Sequence, residues 1–461
     1  MKASLRPTPL AGLIVVSLGA SLATMDIAVN VAFPSITAAF ELETRAIRWV
    51  VIAYVLTYSS LMLAFGKLGD RIGHRQVFRA GLVLSAVAFV LCALAADYPT
   101  LLAARVVQGV ATALVLSCAP ALATLLYDEA GRTRALGRYA SLTAFASVVA
   151  PLVGGVSIAA LGWAGVFWFR APLALLALVL LPLLEPVDRP RVASPSASNL
   201  AGSVLLATAL AFLLLTPALL DLAASKGYAV LTAAIGLAAL YAFVRHERRA
   251  PDPVLPMALM RSADFVMPNA AAIVVHFTAF AVPLLVPYYL ARVAGYTPLE
   301  SGAVLALSPA GMLIGSALAA RTVGAIGVRK AALLGGALVA AGSATIAAWS
   351  MMPWLPLILA TLFLHGAGVG LFHVAYTDIV VAALPRGERG VAGSLTMVTR
   401  TVGVMTAATA LTALTHALES RGPGVDASAV AAFAQAHSTV FLVAALLPIA
   451  FYAASTLRRR T

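Results

Sequence analysis

The chain of 461 residues is 62% hydrophobic and only 11% charged. Soluble domains carry about 25% charged residues, so this chain has too few polar groups to cover a soluble surface. The net charge is +13, but the basic residues lie in short connectors between apolar runs of membrane-spanning length, which argues against nucleic acid as the partner. Cys92 and Cys118 both lie within apolar runs, so neither a disulfide framework nor a thiolate metal site is predicted.

The apolar runs predict about fourteen membrane helices, each close to the roughly 20 residues needed to cross a bilayer. The first run follows Lys2 and Arg6 and continues through Asp26 to Pro34 without a small-residue cleavage site. We therefore interpret it as a retained helix and not as a signal peptide. The predicted spans are 9–35, 47–66, 77–96, 100–126, 135–160, 163–184, 199–221, 228–245, 264–290, 299–320, 330–350, 354–380, 390–417 and 437–457.

These spans predict an all-α membrane protein made of two six-helix bundles and an inserted helix pair. Residues 1–184 form the N-terminal bundle, residues 185–262 a connector with the inserted pair, and residues 263–461 the C-terminal bundle. Most of the 31 Lys and Arg residues fall in connectors on the side of the chain's two ends. Because basic connectors stay in the cytoplasm, we expect an inner (plasma) membrane protein with both termini cytoplasmic.

The connector after the second helix, GKLGDRIGHR (66–75), combines glycines with charges. Glycines permit tight turns and close packing, and Asp70 is suited to capping a helix or facing a helix N-terminus. A plain basic loop requires neither feature. The segment resembles the G-x-L-x-D-R-x-G-R-R loop of the major facilitator superfamily, with His74 in place of a basic residue. The candidate gating residues here are Gly66, Gly69, Asp70, Arg71, Gly73 and Arg75.

An internal repeat of the two halves, which is common in secondary transporters, predicts a second copy of this loop. Placing Gly73 on Gly327 aligns GHRQ with GVRK (327–330), in the connector after the tenth helix. The aspartate position then falls on Gly324, so the second copy is degenerate.

Four further segments resemble motifs of the fourteen-helix drug:proton antiporter family: TMDIAVNVAFP (24–34), ARVVQGVATA (104–113), ASVVAPLVGG (146–155) and GWAGVFWFRAP (162–172). The resemblance implies alternating access, inward proton flow and outward movement of drugs or hydrophobic small molecules. In the third motif two alanines replace the leading glycines, while Pro151, Gly154 and Gly155 remain. These three residues serve either gating or ordinary small-residue packing.

Two intramembrane residues are the candidates for proton coupling. Asp26 lies one helical turn from Asn30, and a carboxylate at membrane depth marks a functional site by default. Arg105 lies at similar depth on the fourth helix, so the two residues are predicted to form an ion pair that protonation of Asp26 breaks. In the alternative interpretation Asp26 is only a structural partner of a neighbouring helix, and Asp378 is then the next candidate proton site.

The predicted substrate cavity collects polar residues from several helices. Arg170 either contacts substrate or extends to the membrane interface beside Trp163 and Trp168. The histidines lack metal-binding spacing, so no metal site is predicted. The buried charges lean cationic, which favours neutral, zwitterionic or anionic substrates. The candidate cavity residues are Asn30, Gln108, Thr112, Arg170, His276 and Arg400.

Other classes of protein fit the sequence less well. It has no HExxH motif and no phosphate-binding loop, so neither a membrane enzyme nor a self-contained ATP-driven pump is predicted. The expected partners are a small-molecule substrate, protons and the lipid bilayer, with no nucleic acid, no cofactor and a monomeric state. An exporter of one endogenous metabolite or antibiotic, or a lipid-moving or sensor protein of the same fold, stays open as an alternative.

Overall fold

The computed structural model describes residues 9–127, 131–184, 200–220, 226–250, 262–349, 354–383, 391–420 and 429–457, and within these ranges the chain is helical. A short helix, Phe33–Ala39, extends the first long helix. The long helices, numbered α1 to α14 in chain order, are Pro9–Val31, Arg48–Ile72, His74–Ala93, Tyr98–Leu125, Arg132–Leu161, Gly165–Leu183, Leu200–Leu220, Lys226–Glu247, Ala263–Arg292, Pro298–Ile326, Val328–Ala347, Leu355–Ala383, Val391–Glu419 and Ala429–Leu457.

Among the described residues, 12 helices are long and apolar enough to cross a membrane, so the chain is a multi-pass membrane protein. Helix α2 is bent by 47° between Thr44–Met62 and Ala64–Ile72, and counting it as one span gives up to 13. The apolar part of α7, Ala201–Pro217, is shorter. Fourteen spans therefore stay a prediction. The connector predicted around 221–227 falls largely outside the described residues, as do 185–199 and 251–261 at the expected domain boundaries.

The ends of several helices follow from local sequence. Asp97 is the N-cap of helix α4, and its carboxylate accepts a hydrogen bond of 2.8 Å from the backbone N–H of Thr100. Helix α10 starts in a capping box formed by Thr297 and Glu300. Helix α14 starts at Ala429, so the predicted span 437–457 is wrong at its beginning. His437, the first residue of that predicted span, is buried and packs on the rings of Tyr289 and Phe441.

The turns α2–α3 and α10–α11 share an unusual backbone. Gly73 has φ 100° and ψ 129°, and Gly327 has φ 85° and ψ 154°. Both lie in the region that favours glycine, at the two positions that the internal repeat aligns. We call the end of the molecule that carries these turns the basic face, and the opposite end the far face.

The two bundles are joined at the far face. One apolar cluster there takes residues from both halves, including Phe33, Val50, Tyr288 and Leu411. Toward the basic face each half has its own cluster, one around Phe78 and one around Phe372. In the described part of the chain, the large apolar cluster shared by both halves thus lies at the far face, and the clusters nearest the basic face belong to one half each.

Close backbone packing joins α5 to α10. A Cβ atom on Gly155 would lie 2.6 Å from the carbonyl oxygen of Pro298, and one on Gly302 would collide with the carbonyl oxygen of Pro151. Helices α2 and α13 also meet, and the Thr401 hydroxyl donates a hydrogen bond of 2.7 Å to Ser59 Oγ. Helices α7 and α8 pack on each other, and α7 packs on α2 and α13 beside this seam.

Candidate functional site

Asp26 is the centre of a buried ionic cluster in the N-terminal half. It lies in a 3-10 turn, Met25–Ile27, that interrupts α1, and its side chain is only 13% exposed. Arg105 of α4 binds both carboxylate oxygens, with Nη1 2.7 Å from Oδ1 and Nη2 2.9 Å from Oδ2. Gln108, one turn further along α4, donates to Oδ1 at 2.9 Å. The ion pair expected from the similar depths of Asp26 and Arg105 therefore forms in a bidentate geometry.

The Arg105 guanidinium is fixed on every side. Its Nε donates to the Val50 carbonyl at 3.2 Å, and its Nη1 also donates to Gln108 Oε1 at 2.8 Å. Its guanidinium carbon lies 4.2 Å from the centre of the Tyr54 ring. The Tyr54 hydroxyl in turn accepts a hydrogen bond from Thr112 at 3.3 Å. Sequence analysis missed Tyr54, because nothing in its local sequence indicates that the α2 backbone would place it on an arginine of α4.

Arg170 does not extend to the membrane interface, so that alternative is wrong. Its side chain is fully buried, and Nη1 donates to Asp26 Oδ1 at 2.8 Å while Nε donates to the Val166 carbonyl at 2.8 Å. The rings of Phe89 and Phe167 lie 4.7 and 5.3 Å from its guanidinium carbon. The carboxylate of Asp26 offers this cation a stronger partner than the interface does. Its Nη2 has no hydrogen-bond partner among the described residues.

The cluster thus sets one carboxylate against two guanidinium groups. Removing one partner from a buried ion pair leaves an uncompensated charge, which is far more costly than losing a surface pair. Protonation of Asp26 would leave both arginines without their counterion. The protonation state of Asp26 is therefore tied to the positions of Arg105 and Arg170, on two other helices.

The C-terminal half holds a second polar group of residues. His276 of α9 and His373 of α12 have ring centroids 6.2 Å apart, and Arg400 of α13 lies close enough to interact electrostatically with both. Asn269 and Thr399 bind the Tyr376 hydroxyl at 2.8 and 3.0 Å. Arg400 is exposed and forms no ion pair with a described residue.

The remaining predicted residues do not join either group. Asn30 is half-buried, and its side chain makes no hydrogen bond with a described residue. Asp378 is exposed near the basic end of α12. Among the described residues, no three or more His, Cys, Asp or Glu side chains are arranged to bind a metal ion.

The predicted gating residues lie in two places. In the loop, Asp70 is exposed and pairs with His74 Nε2 at 3.3 Å, Arg71 is exposed, and Arg75 donates to the Leu181 carbonyl at 3.4 Å. A Cβ atom on Gly69 would meet the side chains of His74 and Cys118, whereas one on Gly66 would lie 3.9 Å from Ser117 Cβ. Pro151, Gly154 and Gly155 lie on α5, where Gly154 faces Ala28 of α1 and the other two face α10.

Comparisons with known proteins agree with this architecture. A solved structure of a mutant of the nucleoside transporter NupG superposes with a TM-score of 0.72 at 12% identity, covering 96% of this chain and 99% of that one. At this identity the likeness is one of fold: a membrane protein of two helical bundles that meet at one face and hold buried polar groups. Since the family model for the Major Facilitator Superfamily matches residues 15–260 and 269–459, the chain belongs to that superfamily.

Two relatives illustrate what the chain is similar to. The tetracenomycin C resistance and export protein of Streptomyces glaucescens is 28% identical over 87% of this chain and 74% of its own length. The riboflavin transporter RibZ of Clostridioides difficile (strain 630) is 25% identical over 83% of each chain. The family indicates a transporter and not an enzyme.

Proposed function

We propose that the protein is a proton-coupled secondary active exporter of the fourteen-helix antiporter type, which moves drugs or other hydrophobic small molecules outward by alternating access. The observation that carries this proposal is the bidentate Asp26–Arg105 pair, joined by Arg170. Membership of the superfamily and similarity to a named resistance and export protein support it. No cofactor is required, because the proton gradient supplies the energy.

We assign the basic face to the cytoplasm, following the rule that Lys and Arg are retained there. Both termini then lie in the cytoplasm of an inner (plasma) membrane protein. With this orientation the far face is the outer one, and we propose that the described conformation is closed to the outside and open to the inside. The same assignment places the Gly66–Arg75 loop at the cytoplasmic entrance.

The ionic cluster gives this conformation a defined step in the cycle. Bidentate pairing with Arg105 favours the carboxylate of Asp26 over the carboxylic acid, so a proton carried in from outside is released to the cytoplasm here. When α1 and α4 move apart in the outward-open state, Asp26 loses this partner and its desolvated carboxyl group accepts a proton. Export of substrate is thereby exchanged for import of a proton.

Two sets of residues would govern the movement. Asp70 is exposed and pairs with His74 of its own half, so its carboxylate is available to cap a helix of the C-terminal half when the basic face closes. Gly155 and Gly302 let α5 and α10 approach to backbone contact when the far face closes. These positions support the proposed gating roles of the loop and of Pro151, Gly154 and Gly155.

A transport measurement on the purified full-length protein tests the proposal. Proteoliposomes are loaded with one cationic, one neutral and one anionic fluorescent compound in turn, and a pH gradient is imposed across the membrane. We expect at least one compound to accumulate against its gradient, and a protonophore to abolish the accumulation. Movement only down the compound's own gradient, unchanged by the protonophore, would contradict proton coupling.

Export of one endogenous metabolite or antibiotic is the second candidate. The relative named a riboflavin transporter favours it, since that name specifies a single metabolite. Accumulation of one compound out of a broad panel would favour this alternative. Accumulation of none, together with movement of labelled phospholipid, would favour a lipid-moving protein.

A further inference from the structure

The C-terminal wall of the space between the bundles presents a cation. On α13, Thr399 binds Tyr376 within its own half, and Thr401 binds Ser59 of the N-terminal half. Arg400 lies between these two positions, is exposed and has no ion-pair partner among the described residues. Its side chain therefore faces the space between the halves, beside His276 and His373.

The N-terminal wall also has a surplus of positive charge. Asp26 is the one carboxylate shared by Arg105 and Arg170, which are 2% and 0% exposed. The Nη2 group of Arg170 is buried and has no hydrogen-bond partner among the described residues. The N-terminal half thus carries a buried net positive charge, and the C-terminal half presents the exposed guanidinium of Arg400.

Among the described side chains, no carboxylate forms an ion pair with Arg400. On the described parts of α12 and α13 the carboxylates are Asp378, exposed toward the basic face, and Glu419, at the far end of α13, where it lies 3.7 Å from Arg292. A cationic substrate entering between the halves would meet Arg400 without a neighbouring carboxylate to offset the repulsion. An anionic group would meet a guanidinium that is free to bind it in a bidentate manner.

We propose that the substrate is an organic anion, and that its carboxylate binds Arg400 in the conformation described here. The proposal rests on the proposed function only in treating the protein as a transporter of small molecules, and it does not depend on proton coupling. Because an arginine fork matches a carboxylate in shape as well as in charge, Arg400 selects against the neutral amide and the amine of the same ring system.

Equilibrium binding to the purified full-length protein tests this selectivity. The probes are 2-naphthoate, 2-naphthamide and 2-naphthylmethylammonium, which share one ring system and differ in charge, and binding is measured by titration calorimetry at pH 7. We expect the wild type to bind 2-naphthoate at least about tenfold more tightly than the amide, as for one charge-assisted hydrogen bond. Arg400→Gln should abolish this preference, and Arg400→Lys should retain part of it.

Arg321→Gln is the matched control, since it removes an exposed arginine from α10 and should leave the preference unchanged. The proposal is overturned if the ammonium probe binds most tightly, if none of the three probes binds, or if Arg400→Gln keeps the preference for the anion. Naphthoate binding without proton-driven transport would instead count against the proposed coupling alone. Proton-driven transport of neutral or cationic dyes without naphthoate binding would count against the anion alone.

Discussion

At the scale of single residues, Asp26 has a larger role than its own motif indicates, because two arginines depend on it. The pair with Arg105 could be predicted from depth along two helices. The contact with Arg170 could not be predicted, because it forms only when α6 packs on α1 and α3. Because a second buried cation depends on Asp26, we expect the loss of its charge to affect folding as well as transport.

We expect Asp26→Asn to lower the stability of the folded protein. Two buried guanidinium groups lose their counterion, and breaking a buried pair in this way costs about 3–5 kcal/mol. Thermal unfolding in detergent should show a reduced midpoint, while Asp26→Glu keeps the charge and part of the transport activity. Asp70→Asn is the control, because Asp70 is exposed and its loss should leave the midpoint unchanged. Equal midpoints for the Asp26 and Asp70 variants would refute this account of the cluster.

At the scale of elements, the sequence predicts features that depend on local residue types. The left-handed turns at Gly73 and Gly327 follow from glycine in matching loops, and every predicted span has a helix at its place in the described chain. The bend of α2 and the 3-10 turn at Asp26 have no such local signature. They arise where helices from different parts of the chain pack on each other.

We expect Gly302→Val to open the far face. A side chain at this position collides with the backbone of α5, so the two bundles cannot close there. Val404 lies in the shared far-face cluster and is 8% exposed, so a cysteine introduced there, in a background without Cys92 and Cys118, reports the opening. An impermeant maleimide added to intact cells should label it several-fold faster in the Gly302→Val variant.

The matched control is Gly324→Val on the same helix, where a Cβ atom meets nothing within 4 Å. This variant should label as slowly as the parent protein. If both valine variants label at the same slow rate, contact between α5 and α10 does not govern closure of the far face.

At the scale of the whole molecule, composition predicts the membrane, and basic connectors predict its orientation. The conformation is different: no residue pattern reports that the large apolar cluster shared by the bundles lies at the far face while the clusters nearest the basic face belong to one half each. Composition alone does not decide the number of spans either, since α7 is helical but its apolar stretch is short. The proposed function depends on this larger scale, because the proposed release of a proton from Asp26 is defined only for a given conformation.

The central claim is that Asp26 couples transport to protons and is more than a counterion for the two arginines. The double variant Asp26→Asn/Arg170→Asn separates these roles, since it removes one negative and one positive charge together and keeps the net charge of the cluster at its wild-type value, with Arg105 as the one remaining buried cation. It is reconstituted in proteoliposomes with the compound that the wild type accumulates best. We expect the double variant to unfold at a higher midpoint than Asp26→Asn alone, because one buried cation lacks a counterion instead of two, and to exchange the compound down its gradient but not to accumulate it when a pH gradient is imposed. Proton-driven accumulation by the folded double variant would contradict the claim, and Asp378 would become the candidate proton site.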